Sequence, residues 1–283
     1  MNKKCDLHSH SVFSDGTLTP AELVRLAEEK GISALALTDH NTSKGLKDFM
    51  EAGKNSPVIT VPGCEFTTEW NKKEVHIVGL FFKEEYWQEI EDFLEIAKIA
   101  KLNSNNRLIE NLRKAGYDIT IEEVAAMTSG NYNRAHVAKV LLEKNYVSST
   151  SEAFDTILKE GNGFYFPASR IQSATTVRFI KTYGATAIVA HPLLNLTPEE
   201  LEVFLPEMKA AGLDAMETRY TEFDEKMKKT AASLAKKFGL KQSGGSDYHG
   251  KNKPWIELGE GRGDLFVPYE FYEDMLNCSD YPR

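Results

Sequence analysis

Short apolar runs alternate with helical stretches at both ends of this 283-residue chain, and that alternation limits the folds open to it more than any other feature. Residues 34–38, 58–61 and 75–82 have the length and composition of buried strands, as do residues 185–190 and 214–217. Helical stretches separate most of these runs. Strands that alternate with helices are typical of a mainly parallel sheet with crossover connections. The sequence therefore predicts an α/β fold.

The middle of the chain has a different pattern. From about residue 85 to 182, the apolar residues recur almost wholly at helical spacing. We therefore predict a helical insertion at residues 99–182, which interrupts an α/β domain formed by residues 1–98 and 183–283. Within the insertion, residues 161–167 are expected to form an exposed connector, which is a candidate for a small β-ribbon.

Composition and charge narrow the class of protein. Hydrophobic residues make up 41% and charged residues 27%, which is ordinary for a soluble globular protein. The apolar runs are too short to span a bilayer, and the first residues lack the apolar segment of a signal peptide, so we expect a cytoplasmic protein without a membrane partner. The net charge of −8 does not favour long duplex nucleic acid, which needs a basic face. A small anionic substrate stays open, because bound metal ions would reverse the local charge.

The chain has three cysteines, Cys5, Cys64 and Cys278. An odd, sparse set argues against a disulfide framework, and the lack of a CxxC motif argues against a thiolate zinc site. We expect Cys5 and Cys64 to be small core residues that face away from their polar neighbours.

Most of the histidines follow the predicted strands. Six of the seven fall in a predicted strand, at its end or in the turn just after it: His8, His10, His40, His76, His191 and His249. The carboxyl ends of barrel strands and their following loops line one face, so histidines collected there meet in space. His8 and His10 are two residues apart, which places both imidazoles on one side of an extended segment.

Three carboxylates occur in the same setting: Asp15 in a Ser-Asp-Gly turn, Glu65 after residues 58–61, and Asp247 two residues before His249. Taken alone, an aspartate in such a turn serves the turn, and a glutamate after a strand is solvated. Nine imidazole or carboxylate groups at strand ends exceed what capping or solubility requires. Mixed nitrogen and oxygen donors suit manganese, zinc or ferrous iron.

Six motifs occur in one order along nearly the full chain: Asp6-Leu7-His8-Ser9-His10-Ser11 with Ser14-Asp15-Gly16, Thr38-Asp39-His40-Asn41, Pro62-Gly63-Cys64-Glu65, Val75-His76-Ile77-Val78-Gly79, Ala190-His191-Pro192, and Gly245-Ser246-Asp247-Tyr248-His249-Gly250. Together they resemble the PHP family, the polymerase and histidinol phosphatase superfamily. The resemblance implies a distorted seven-stranded β/α barrel, similar to a TIM barrel, with a helical insertion domain and two to three divalent metal ions. These would be manganese, zinc or iron, with magnesium an option at one site.

The resemblance also implies a distribution of ligands over three metals. The first set would be His8, His10, Glu65 and Asp247. The second would be Glu65, as a bridging ligand, with His76 and His191. The third would be Asp15, His40 and His249. Many members of the family have a histidine in place of Asp15, and the aspartate here resembles the branch of nucleotide phosphatases and small-RNA exonucleases.

Three further residues are candidates for substrate binding. The segment Asn133-Arg134-Ala135-His136 resembles a helix of that branch that faces the metals and binds phosphate, so Arg134 and His136 would contact substrate, and His136 would bind phosphate or protonate the leaving oxygen. Free backbone N–H groups in the first turn would help to hold an anion. Lys253 also matches the branch. A solvated arginine, a hydrogen-bonded histidine and a surface lysine are the alternative interpretations.

The predicted function is hydrolysis of a phosphate monoester on a nucleotide of the 3′,5′-bisphosphate type by a metal-activated water, with Glu65, Arg134 and His136 as catalytic residues. One alternative is a 5′-to-3′ exoribonuclease that trims short RNA, for which Tyr132, Phe164 and Tyr165 would be stacking candidates. A histidinol-phosphate or other small-molecule phosphatase and a non-catalytic metal-binding module are further alternatives. The expected partner is a small phosphorylated substrate, a nucleotide or short oligonucleotide. The sequence does not indicate an oligomeric state.

Overall fold

The computed structural model describes residues 3–128 and 132–282. Its contacts divide the chain into two compact units, one of residues 1–91 with 171–283 and one of residues 92–170. The first unit contains all seven strands of the sheet, and the second is helical.

The strands of the first unit are β1 (Lys4–Asp6), β2 (Ile32–Leu37), β3 (Ile59–Trp70), β4 (Lys73–Leu80), β5 (Thr186–Val189), β6 (Ala215–Tyr220) and β7 (Lys241–Gly245). They lie in the order β1 to β7, and only β4 runs antiparallel to its neighbours. Beyond the ends of β1 and β7, Leu7 N–H donates to Gly244 O (3.1 Å) and Asp247 N–H donates to His8 O (2.9 Å). These bonds nearly close the sheet, so the prediction of a distorted seven-stranded barrel is confirmed.

The helices are α1 (Pro20–Glu29), α2 (Leu46–Gly53), α3 (Trp87–Lys114), α4 (Ile121–Ala125), α5 (Arg134–Glu143), α6 (Thr150–Asp155), α7 (Ser173–Thr182), α8 (Pro192–Asn195), α9 (Pro198–Ala211), α10 (Glu225–Lys237) and α11 (Tyr269–Asn277), with 3₁₀ turns at Glu84–Tyr86 and Gly250–Asn252. The side chains of Thr19 and Thr197 form capping boxes at α1 and α9, each followed by a proline at the first helical position. Within the described residues, none of these helices is both long and apolar enough to cross a membrane.

The barrel core consists of small and branched side chains from neighbouring strands, such as Ala36, Val61 and Ile188. Cys5 and Cys64 are fully buried there, which confirms that they are core residues. The Cys5 thiol donates to Pro268 O and the Cys64 thiol to Asp39 O, and burial raises the pKa of both thiols. Both therefore remain protonated.

The β3–β4 hairpin departs from the predicted strands. The sequence predicted a strand at residues 58–61 with Glu65 just beyond it, whereas β3 extends to Trp70 and contains Glu65 in its middle. The reason is a change of partner: β3 pairs with β2 up to Pro62 and with β4 from Gly63 onward. A two-residue turn with positive φ at both residues then joins the two strands.

The second unit has a core of its own, which includes Leu108, Leu112, Val137 and Leu141. Its connector at residues 161–167 contains no regular strand among the described residues, and a single bridge joins Glu160 to Tyr165.

The unit boundaries differ from the predicted domain boundaries. Residues 92–98 group with the helical unit, and residues 171–182 group with the barrel. Helix α7 contacts β3, β4 and β5, because its buried face, which includes Val177 and Ile180, lies against the sheet. A helix that covers a barrel has the same apolar periodicity as a helix in an insertion, so periodicity alone does not separate the two.

Candidate metal centre

Six of the seven strands place candidate ligands at one end of the barrel. His8, His10 and Asp15 follow β1, His40 follows β2, His191 follows β5, and Asp247 and His249 follow β7. Glu65 lies within β3, and His76 lies near the start of β4. Because β4 is antiparallel, its beginning lies at the same end of the barrel as the carboxyl ends of the parallel strands. All nine predicted candidates are therefore brought together, although 241 residues separate His8 from His249.

The carboxylate of Glu65 lies at the centre of the cluster. Its Oε2 atom is 3.1 Å from His8 Nε2, 3.3 Å from His10 Nε2 and 3.0 Å from His40 Nδ1. Its Oε1 atom is 2.8 Å from His76 Nδ1 and 3.0 Å from His191 Nε2. The two oxygens thus face different histidines, an arrangement that suits a carboxylate shared between two cations.

Two further carboxylates, Asp247 and Asp15, belong to the cluster. Asp247 Oδ1 lies 3.0 Å from His10 Nε2 and 3.5 Å from His8 Nε2. Asp15 Oδ1 lies 3.2 Å from His249 Nε2 and 3.9 Å from His40 Nε2.

Donor atoms within 4.8 Å of one another form three groups: His8, His10, Glu65 and Asp247; His10, Asp15, His40 and His249; and His40, Glu65 and His76.

The buried donors fit a divalent cation better than they fit one another. Among the described residues, six buried side-chain nitrogen or oxygen atoms have no hydrogen-bond partner, and five of them belong to this cluster. These five are Nε2 of His8, Nδ1 and Nε2 of His10, Nδ1 of His40 and Oε2 of Glu65. Such atoms are costly when nothing satisfies them. Neutral imidazoles and carboxylates are the donors that divalent cations take, so the residues present fit such ions.

The electrostatics of the cluster favour a bound positive charge. Burial alone would raise the pKa of Glu65 and Asp247, but the surrounding imidazoles hold both pKa values well below the usual range. Burial would likewise lower the pKa of His8, yet Glu65, Glu217 and Asp247 together raise it. Burial, with the neighbouring His10, lowers the pKa of His40 to about 4. The carboxylates are therefore ionised near neutral pH.

The sequence analysis missed three buried carboxylates that hold this end of the barrel. Asp6 accepts hydrogen bonds from Ser246 N–H (2.9 Å) and Gly259 N–H (2.8 Å), and Asp39 accepts from Ser11 N–H (2.7 Å). They therefore fix the loops that follow β7 and β1.

The third missed carboxylate is Glu217 of β6, whose Oε1 lies 2.8 Å from His8 Nδ1. One signal could have found it: residues 214–217 formed a predicted strand without a candidate ligand, and Glu217 is the acidic residue at the end of that strand.

Lys253 and Tyr220 both contact the outer oxygen of Asp247. Lys253 Nζ donates to Asp247 Oδ2 (2.8 Å), and Tyr220 OH donates to the same atom (2.8 Å). The sequence analysis predicted Lys253 as a substrate contact, and the structure places it within the cluster as an ion pair of Asp247. Tyr220 had not been predicted to have a role.

Arg134 and His136 lie in the first turn of α5, in the helical unit. The Arg134 guanidinium lies 4.0 Å from the ring centroid of Tyr165 and donates to Leu158 O (3.4 Å). His136 Nδ1 accepts from Asn133 N–H (3.0 Å) and so completes a capping box, which leaves the Nε2 edge of the ring pointing away from this bond. In this structure the local contacts of both residues are those of a stacked arginine and a helix-capping histidine.

Comparisons with known proteins agree with this architecture. The PHP domain matches residues 6–166. A 5′-3′ exoribonuclease of Haemophilus influenzae is 34% identical over 92% of this chain and 94% of that protein. A 3′,5′-nucleoside bisphosphate phosphatase of Chromobacterium violaceum is 28% identical over 90% of each chain. A solved structure from Bifidobacterium adolescentis, described as a metal-dependent phosphoesterase, superposes with a TM-score of 0.67 at 25% identity and covers 98% of this chain and 96% of that one.

The barrel, its donor cluster and these relatives define the class of protein as a metal-dependent phosphoesterase, an enzyme that hydrolyses phosphoric esters. Within that class, the chain belongs to the PHP-domain family. The resemblance carried by the six motifs is thereby confirmed.

Proposed function

We propose that the protein holds two to three divalent cations and uses them to hydrolyse a phosphoester of a nucleotide or of the 5′ end of short RNA. The observation that carries the proposal is the convergence of nine imidazole and carboxylate side chains, with five buried donor atoms that no hydrogen bond satisfies. His8, His10, Glu65 and Asp247 would hold the first cation. Glu65, His76 and His191 would hold the second. Asp15, His40 and His249 would hold the third.

The metals we propose are manganese, zinc or iron, with magnesium accepted at one site, because the donors are nitrogen and oxygen without thiolate. When bound, such cations supply Lewis acidity, which brings the pKa of a coordinated water down to about 7 and offsets phosphate charge. Glu65 would give one oxygen to each of the first two cations, because its Oε2 faces His8 and its Oε1 faces His76.

We assign substrate contacts to three residues. Arg134 would pair with a phosphate through the guanidinium edge that its stacking on Tyr165 leaves available. His136 would use Nε2 to bind phosphate or to protonate the leaving oxygen, since Nδ1 is engaged by Asn133. Lys253 would contact substrate next to Asp247. No serine or cysteine nucleophile enters this scheme.

The substrate proposal follows two of the relatives, the exoribonuclease and the nucleoside bisphosphate phosphatase. A 5′-to-3′ exoribonuclease removes the first nucleotide from the 5′ end of RNA. A 3′,5′-bisphosphate phosphatase removes one phosphate from a single nucleotide. Both reactions break a phosphoester bond within one nucleotide of a 5′ end. The higher identity to the exoribonuclease, 34% against 28% over similar lengths, favours short RNA as the first candidate, with the nucleotide 3′,5′-bisphosphate as the second. The net charge of −8 agrees with a short substrate.

The test supplies Mn²⁺ to the purified protein and compares three substrates at equal concentration: a 5′-phosphorylated RNA tetramer, the same tetramer with a 5′-hydroxyl, and adenosine 3′,5′-bisphosphate. We expect mononucleotide release from the first or phosphate release from the third. In either case, Glu65→Gln should reduce the rate by at least about 1000-fold, because electrostatic stabilisation by several donors at once would be lost.

Glu199→Gln is the matched control, since Glu199 is exposed in the first turn of α9 and lies outside the cluster. This variant should keep the wild-type rate. Wild-type activity in Glu65→Gln would contradict the proposed role of the cluster. Preference for the 5′-hydroxyl tetramer would contradict the substrate proposal alone.

A further inference from the structure

Glu217 lies in β6, and its carboxylate contacts two of the candidate ligands, His8 and His191. The residue is 1% exposed. Its Oε1 atom accepts a hydrogen bond from His8 Nδ1 (2.8 Å), and its Oε2 atom accepts one from the backbone N–H of His191 (2.6 Å). One carboxylate therefore ties together the segment that follows β1 and the segment that follows β5.

The bond to His8 determines which nitrogen of its ring is left for a cation. A carboxylate only accepts hydrogen bonds, so Nδ1 carries the proton that it donates to Glu217. In the neutral ring, Nε2 then has a free lone pair. That atom is buried without a hydrogen-bond partner among the described residues, 3.1 Å from Glu65 Oε2 and 3.5 Å from Asp247 Oδ1.

The bond to His191 holds a backbone that is unfavourable for this residue type. His191 has φ 28° and ψ 51°, in the left-handed region that residues with a side chain rarely adopt. Its N–H donates to Glu217, and its Nδ1 lies 3.3 Å from Asn195 Oδ1. These two contacts orient the ring so that Nε2 lies 3.0 Å from Glu65 Oε1.

We infer that Glu217 is a positioning residue of the metal centre: it fixes the tautomer of His8 and the backbone of His191, and thereby prepares two groups of ligands at once without binding a cation itself. The inference rests on the proposed function only in that cations bind to this cluster. Carboxylates that orient ligand histidines commonly change metal affinity by about 10- to 100-fold.

The proposal requires a carboxylate at this position. An amide of the same shape offers one acceptor and one donor, whereas both neighbours of Glu217 donate. If the amide oxygen faces the His191 N–H, its NH₂ group faces His8 Nδ1. His8 would then have to accept there and carry its proton on Nε2, the atom intended for the cation.

The experiment measures Mn²⁺ binding to metal-depleted full-length protein by isothermal titration calorimetry, with bound manganese checked by elemental analysis after dialysis. Glu217→Gln should bind Mn²⁺ about 10- to 100-fold more weakly than wild type. Glu207→Gln is the matched control, because Glu207 also accepts from a ring N–H, Trp70 Nε1 at 2.8 Å, but lies outside the cluster. It should bind as wild type does.

A second measurement separates positioning from general stability and does not depend on the variant. In the Zn²⁺-loaded wild-type protein, long-range ¹H–¹⁵N spectra of the histidine rings should show His8 protonated at Nδ1. A His8 ring protonated at Nε2, or unchanged Mn²⁺ affinity in folded Glu217→Gln, would overturn the inference while leaving the proposed function intact. A wild-type protein that binds none of Mn²⁺, Zn²⁺ and Fe²⁺ would overturn both.

Discussion

The carboxylate of Glu65 is surrounded by imidazole rings at the end of this barrel. Five imidazole rings lie within 3.3 Å of its two oxygens, and the residue has no exposed surface. Each unsatisfied buried donor or acceptor costs about 1–3 kcal/mol. These unsatisfied atoms would therefore cost stability, and a bound cation would relieve that cost.

Arg134 gives a prediction at the same scale. Arg134→Ala should raise KM for a phosphorylated substrate by about 10- to 100-fold with little change in kcat, because a hydrogen bond between charged groups contributes about 1.5–3 kcal/mol. Steady-state kinetics measure both constants. The change also removes the contact with Tyr165, so the thermal unfolding of the variant must be recorded alongside.

Arg113→Ala provides the comparison for Arg134→Ala. Arg113 is an exposed arginine in the last turn of α3 in the same helical unit, and its loss should leave KM unchanged. If the two variants have equal KM values, Arg134 does not bind the substrate and only makes the contacts within the helical unit.

The candidate ligands could be predicted from the sequence, whereas the contacts of the residues that orient them could not. His8, His40 and His191 are recognisable because each follows an apolar run, and apolar runs are visible in the sequence. Glu217 looks like any acidic residue at the end of a predicted strand, and the role we infer for it depends on which imidazole lies across the barrel. Hydrogen-bond partners of this kind follow from tertiary packing, which periodicity does not encode.

The β3–β4 hairpin determines how His76 reaches the cluster. Strand β4 runs opposite to the others, and His76 lies at its fourth residue, directly across from Thr67 of β3. The sequence located both strands but not the turn between them. Asn71 and Lys72 adopt φ values of 48° and 64°, yet the usual signal for such a turn is a glycine at the second position.

That missing glycine gives a prediction for the hairpin. Lys72→Gly should raise the free energy of unfolding by about 1 kcal/mol, because a side chain in the left-handed region costs about 1–2 kcal/mol, part of which the greater freedom of glycine in the unfolded chain offsets. Urea denaturation measures the change.

Lys72→Ala is the control for this turn, since alanine keeps a Cβ atom at the same φ and should not stabilise the hairpin. If the glycine and alanine variants have the same stability, the backbone strain assigned to Lys72 is wrong.

At the scale of the whole molecule, the α/β class could be predicted from alternating strands and helices, and the barrel from the resemblance. The limits of the helical unit could not, because α7 has the periodicity of an insertion helix but buries Val177 and Ile180 against the sheet. Which apolar surface a helix covers depends on contacts between residues far apart in the sequence.

Chelation gives a prediction for the entire protein. Saturation with a cation at about 100 times its Kd adds about 2.7 kcal/mol to stability, so removal of metal with EDTA should lower Tm by roughly 5–10 °C. Differential scanning calorimetry with Mn²⁺ and with EDTA measures the shift. Glu65→Gln should lose most of this difference, and identical Tm values for wild type in both conditions would contradict metal binding by the folded state.

The bonds that nearly close the barrel join residues 7–8 to residues 244–247. During synthesis, His8 and His10 leave the ribosome long before Asp247 and His249 have been made. A nascent chain therefore lacks a complete set of donors for the proposed first cation until residue 247 has been made. Loading of that site should accordingly follow synthesis of residue 247, and premature termination before this residue should yield a product unable to hold the ion.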